Sequence, residues 1–147
     1  MNRGMAFIGA WRLVSYENRF SSGEKLYPLG EDATGYLLYA ADGHMSVALM
    51  GAHRRPFESD LLDRGTMEEK SNAMSTYISY AGTYEVHNDY VLHRIEVSLF
   101  PNWIGGAQKR YFEMDEDRLT LISPSIAVKE QTVTYRLVWK REGRRLH

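Results

Sequence analysis

Residues 91–100, VLHRIEVSLF, alternate: Val91, His93, Ile95, Val97 and Leu99 take the odd positions, and Arg94, Glu96 and Ser98 fall between them. Successive side chains of a strand point to opposite faces, so the odd set is expected to face a core. The same period-two pattern recurs near 7–17, 34–41, 44–50, 80–87, 90–100, 107–114, 118–123 and 132–141. Eight such runs bounded by turn residues predict an antiparallel all-β domain rather than an α/β one. Asp42-Gly43 in AADGHM suits a two-residue type I′ hairpin turn. HND at 87–89 and DED at 115–117 are further turn signals.

One segment departs from alternation. TMEEKSNAMSTYISY, 66–80, sets Met67, Lys70, Ala73, Met74, Tyr77 and Ile78 at helical spacing and predicts one short helix near 66–79. Thr66 and Glu69 have the capping-box spacing, which gives its start a mechanism. The stretches 18–33 and 51–65 read as long loops, and without repeats or a linker the chain reads as a single domain over 1–147. Eight antiparallel strands with one inserted helix close most economically into an up-and-down barrel, because closure removes both hydrogen-bonding edges. A two-sheet sandwich is the alternative. The choice bears on function, since an eight-stranded barrel has an interior just wide enough for side chains or one small ligand.

A tight hairpin at 87–90 would set Tyr84 opposite His93 and Gly82 opposite Ile95, placing Tyr80, Gly82, Tyr84 and Val86 inside. In 107–114 the better outer face is Lys109, Tyr111 and Glu113, so Gln108, Arg110, Phe112 and Met114 point inward. An inward guanidinium is costly unless it is paired, hydrated or facing a ligand. With a symmetric turn at 101–106, Arg110 would lie across from Val97, about 13 Å along the barrel axis from His93. In 132–141 the inward set Val133, Tyr135, Leu137 and Trp139 reads as plain core. The 34–50 hairpin is ambiguous. One candidate face carries Tyr36, Leu38, Ala40, Met45, Val47 and Leu49; the other carries Leu37, Tyr39, Ser46, Ala48 and Met50, with Tyr39 and Ser46 as candidate ligand contacts.

Composition narrows the function classes. Twelve per cent aromatic residues, with ten Tyr, is high for a soluble chain of 147 residues and asks for a place to pack. Eighteen Lys plus Arg against nineteen Asp plus Glu leave a net charge of −1, so neither nucleic acid nor a membrane surface is an expected partner. The basic end KREGRRLH, 140–147, reads as a solvated terminus, with a sticky arm as the alternative. The absence of cysteine excludes disulfides, thiolate metal sites and cysteine catalysis. With only a few consecutive apolar residues before Arg12 and no long apolar run, a cytoplasmic protein is expected. Association as a homodimer stays compatible with all of this.

The chain carries no phosphate loop, GxSxG, HExxH or CxxC, and its five histidines lack metal-ligand spacing, so neither metal nor cofactor is expected. His93, with Tyr84 opposite, is the best acid–base candidate, since a tyrosine hydroxyl can hold its tautomer or donate to a carbonyl. The competing reading is a packed histidine hydrogen-bonded to a tyrosine. Arg110 offers forked donors suited to a carboxylate or polarised carbonyl, or to a protein partner alone.

The segments GAWRLVSYE at 9–17, GYLLYAADGHMSVALM at 35–50, YISYAGTYEV at 77–86, HRIEVSLFPNWIGGAQKRYFEM at 93–114 and YRLVWKR at 135–141 resemble, in order, the lipocalin-like domain family of small microbial and fungal calycin-type barrels. Gly9-x-Trp11 is similar to the lipocalin Gly-x-Trp, whose tryptophan closes one barrel end under a basic side chain of the last strand. Arg136 or Arg141 would supply that partner by a cation–π contact. The resemblance implies a barrel of a kind found among carriers and among cyclases or isomerases, some beside natural-product biosynthesis genes. Three functions stay open. The first is binding of a small hydrophobic, aromatic or polyketide-like molecule, with Tyr80, Tyr84, Phe112 and Met114 as walls and His93, Arg110 and Gln108 as polar fixtures. The second is a cofactor-free isomerase, cyclase or dehydratase, with His93 moving a proton and Arg110 steadying negative charge beside Tyr84. The third is a filled barrel acting through its surface.

Overall fold

The computed structural model describes residues 3–143; the basic tail read at 140–147 lies in part outside them. A helix α1 (Arg3–Phe7) precedes β1 (Gly9–Phe20), β2 (Lys25–Leu26), β3 (Thr34–Tyr39) and β4 (His44–Met50). Helix α2 (Met67–Ser75) leads into β5 (Tyr77–Val86), β6 (Tyr90–Ser98), a single 3-10 turn at Pro101–Trp103, and β7 (Ala107–Met114). The chain finishes with β8 (Arg118–Ile122), β9 (Ile126–Val128) and β10 (Gln131–Arg141). The antiparallel order β1-β3-β4-β5-β6-β7-β8-β10 closes on itself because β10 pairs back along β1 from Trp11↔Arg141 to Phe20↔Val133. Two short strands extend the rim: β2 on Asn18 and Arg19, and β9 on residues 131–133. The barrel expected from the alternation is the barrel observed. No helix among the described residues is long and apolar enough to cross a membrane.

One end is stoppered by a helix that alternation gave no sign of, since five residues are too few to display a period. Phe7 of α1 is fully buried, edge-on to Tyr39 at 5.4 Å and to Phe112 at 5.0 Å between ring centroids. Trp11 donates from Nε1 to the Phe7 carbonyl at 2.9 Å. Of the two basic candidates, Arg141 covers this ring, its guanidinium carbon 4.2 Å from the centroid. The same guanidinium donates to the carbonyls of Ala6 (2.6 Å) and Ile8 (3.2 Å), so the last strand staples the stopper to the wall. Arg136 instead pairs with Glu113 at 3.6 Å.

Four details depart from the expectation, three of them in register, through the counting of residues in a turn or bulge. At 40–44 the loop has three residues, not two: Gly43 N–H donates to Ala40 O at 3.2 Å, Ala40 N–H donates to His44 O at 2.9 Å, and Gly43 has φ +96°. This type I turn with a glycine bulge pairs Leu37 with Val47 and Tyr39 with Met45, so those four side chains share the inner face. Ser46 pairs with Leu38 on the outer, exposed face, so it cannot contact a ligand inside the barrel.

Between β5 and β6 the pairs Tyr84↔His93 and Gly82↔Ile95 form as expected, but Ala81 then faces Val97, leaving Glu96 as an extra residue. Past that bulge the faces exchange. Val97, expected inside, is 62% exposed, and Leu99 also reaches the surface. Gly82 permits the close approach: a Cβ there would lie 1.8 Å from the Arg94 carbonyl oxygen.

Across β6 and β7, His93 faces Gln108 and Val91 faces Arg110. Residues 97 and 98 pair only with β5, and the chain then folds through the Pro101–Trp103 turn over the barrel mouth, so the turn is not symmetric about 101–106. Finally, α2 starts with the expected capping box at Thr66 and Glu69 but stops at Ser75. Tyr77 and Ile78 pair with Met50 and Leu49 instead, because completing the sheet edge overrides helical spacing. The helix buries none of its residues, and Met67 is 89% exposed.

Candidate functional site

The half of the barrel away from α1 encloses a cavity of about 470 Å³, so the interior is not filled by side chains. Leu37, Val47, Leu49, Leu121 and Leu137 supply aliphatic wall. Tyr16, Tyr135 and Trp139 bring aromatic wall from the β1–β10 side, while Phe100 and Trp103 lean over the mouth, edge-on to each other at 5.3 Å. His93, Gln108, Arg110 and Tyr80 form one polar patch on this otherwise apolar surface.

His93 is 1% exposed. Its Nε2 lies 2.6 Å from the Tyr39 hydroxyl and its Nδ1 lies 2.7 Å from the Tyr80 hydroxyl. Burial first, and the Arg110 charge second, bring its pKa down from 6.5 to about 3. Burial likewise holds Tyr80 up at about 12 against the opposite pull of Arg110, and raises Tyr39 well above the ordinary range. All three groups are therefore neutral near pH 7. With both nitrogens in hydrogen bonds, the neutral imidazole orients the two tyrosine hydroxyls.

Tyr84, expected as the partner of His93, faces it across the ladder without a hydrogen bond to the imidazole. Its hydroxyl donates to the Ala40 carbonyl at 2.8 Å and its ring packs on Tyr39 at 4.6 Å. The imidazole's bonds go instead to Tyr39, from β3, and to Tyr80, which is offset along β5 from the residue directly opposite His93. Phe112 and Met114 point inward as expected but pack in the core at the α1 end, beneath the cavity rather than around it. Neither these two nor Tyr84 lines the cavity, whereas Tyr16, Tyr135, Trp103 and Trp139 do.

Arg110 donates from Nη2 to Gln108 Oε1 at 2.8 Å and from Nη1 to the Lys109 carbonyl at 2.9 Å. Among the described residues no carboxylate stands within ion-pairing distance of it; Glu113 serves Arg136 on the outer face. The register sets Arg110 only two residues from His93 along the axis, about 7 Å at ~3.3 Å per residue, rather than the ~13 Å that a symmetric turn would give. Trp139 is buried in the cavity wall with no acceptor for its indole N–H among the described residues. No three His, Asp or Glu side chains of the described residues converge to hold a metal ion.

Tyr135, Leu137 and Trp139 were visible as inward positions but indistinguishable from core, because alternation identifies a face and not whether facing walls meet. Trp103 had no such signal, since it reaches the mouth from a single 3-10 turn.

A plugged eight-stranded antiparallel barrel with an aromatic-lined interior is the architecture of a lipocalin-like protein. The lipocalin-like domain family matches residues 8–142, and the chain belongs to that family. Among its relatives is the 4'-hydroxy-3'-methoxypropiophenone carrier protein ppsC of Aspergillus oryzae, 33% identical over 85 residues, which span 52% of this chain and 77% of that protein.

Proposed function

We propose that this protein binds and carries a small aromatic or polyketide-like molecule in the barrel cavity, with an oxygen of that molecule set against Arg110. The observation that carries this reading is a guanidinium with only neutral partners among the described residues, on the wall of an apolar, aromatic cavity of about 470 Å³. Pockets of that volume, apolar with a few converging polar groups, are the usual small-molecule sites. An unpaired cation there is costly in the empty protein and is offset when a ligand oxygen arrives. The relative named as a carrier of an aryl ketone supports the same reading.

Trp103 and Trp139 line the cavity, which gives a direct readout. Titration with 4'-hydroxy-3'-methoxypropiophenone is expected to change tryptophan emission saturably at one site, without chemical change to the compound. Emission that responds only linearly, or turnover of the compound, would refute carriage of this class.

A further inference from the structure

We infer that the hydrogen-bond chain Tyr39–His93–Tyr80 runs in one direction and turns the Tyr80 hydroxyl into a donor for the ligand. The ligand is accordingly an aromatic molecule bearing a carbonyl or carboxylate oxygen, and this specificity rests on the cavity-binding reading above. A neutral imidazole carries one N–H and one bare nitrogen, so its two tyrosine partners cannot play the same part. Tyr39 is 2% exposed, between the rings of Phe7 and Tyr84, and among the described residues its hydroxyl meets only His93 Nε2. Were Nε2 to carry the imidazole proton, the Tyr39 hydroxyl proton would be buried with no acceptor, the expensive kind of unmade bond.

Tyr39 therefore donates to a bare Nε2. The imidazole proton resides on Nδ1 and is donated to the Tyr80 oxygen 2.7 Å away. Tyr80, already accepting from His93, keeps its own proton, and it lines the cavity. On the same wall Arg110 has donors only, and the Gln108 carbonyl oxygen is engaged by Arg110 at 2.8 Å. The polar patch is thus a donor surface. A ketone or carboxylate oxygen satisfies it, whereas a ligand that lacks such an oxygen leaves its donors unmet. Tyr39 and His93 act as positioning residues and Tyr80 as the contact.

Long-range proton–nitrogen spectra of the nitrogen-15-labelled, ligand-free protein near neutral pH read the tautomer of His93 directly. The expected result is a protonated Nδ1 and a bare Nε2; the opposite tautomer, or an imidazolium, would overturn the assignment. A matched pair then tests its consequence: 4'-hydroxy-3'-methoxypropiophenone against 2-methoxy-4-propylphenol, which differs only in lacking the carbonyl. Wild type is expected to hold the ketone more tightly than the propylphenol, and Tyr80→Phe to lower that ratio about tenfold, as for one buried hydrogen bond, the remaining preference belonging to Arg110. Equal affinities in wild type, or a ratio unchanged in Tyr80→Phe, would overturn the donor role. Uptake of neither compound would overturn the binding reading and the ligand class with it, while the tautomer still decides the polarity of the chain.

Discussion

His93 and Arg110 share one cavity, with Arg110 two residues further along the barrel axis than Gln108, the residue His93 faces across the β6–β7 ladder. The two are near enough for the guanidinium to reinforce burial in keeping the imidazole neutral. A single small ligand can reach both. This proximity is set by the turn at Pro101–Trp103, which folds over the mouth instead of prolonging the β6–β7 ladder.

Replacing that cation should separate binding from folding. Arg110→Met removes donors that no carboxylate among the described residues uses, so the melting temperature is expected to hold or rise. Affinity for a carboxylate or aryl-ketone ligand should fall about 10- to 100-fold, the worth of a hydrogen bond to a charged group. Calorimetric titration and a thermal melt of the same preparation check both halves. A variant that binds as wild type would remove Arg110 from the site.

Much of this wall was legible because alternation is a local property. Val91, His93 and Ile95, and likewise Gln108 and Arg110, could be assigned to the interior from their neighbours alone, as could the Tyr84↔His93 and Gly82↔Ile95 pairs. What alternation cannot display is one extra residue. The left-handed Gly43, the bulge at Glu96 and the Pro101–Trp103 turn each shift a register by counting, and they displaced Ser46, Val97 and the His93–Arg110 spacing respectively. The hydrogen-bond partners of His93 were misread for a related reason. Tyr39 comes from β3 and Tyr80 from an offset position on β5, and a strand-by-strand reading sees only the residue directly opposite.

Acid should expose the buried imidazole. The folded-state pKa of His93, about 3, lies below the unfolded value near 6.5, so between those pH values the unfolded chain takes up a proton that the folded one does not. The stability associated with neutral His93 is therefore present above pH 6.5 and lost as pH falls toward 3, by at most about 5 kcal/mol. Urea unfolding at a series of pH values should show any advantage of wild type over His93→Gln narrowing through that window. A gap that stays constant with pH would contradict the neutral, buried imidazole.

At the opposite end, Arg141→Met should release the α1 stopper. It removes a cation–π contact with Trp11 and two charge-assisted bonds to the Ala6 and Ile8 carbonyls. Together these should cost about 2–4 kcal/mol. Denaturant unfolding measures the loss, and limited proteolysis should cut first near residues 3–8. Arg141→Lys should recover only part, because an ammonium cannot hold both carbonyls and cover the ring in one geometry.

Gly82 is expected to tolerate no side chain. In Gly82→Ala the new Cβ would meet the Arg94 carbonyl oxygen at 1.8 Å, so the β5–β6 bulge must open. A loss of more than about 2 kcal/mol is expected, with amide shifts running through 94–100. Wild-type stability in this variant would show that the strands do not approach so closely.

The central claim, that the barrel interior is the binding site, is tested most directly by an amide and indole proton–nitrogen titration with 4'-hydroxy-3'-methoxypropiophenone. Saturable shifts are expected at Tyr80, His93, Trp103, Gln108 and Arg110 and at the Trp139 indole, all on the cavity wall. The surface groove of about 520 Å³ between Arg54 and Thr76 should stay silent. Saturable shifts confined to that groove, with the Trp139 indole unmoved, would contradict the claim.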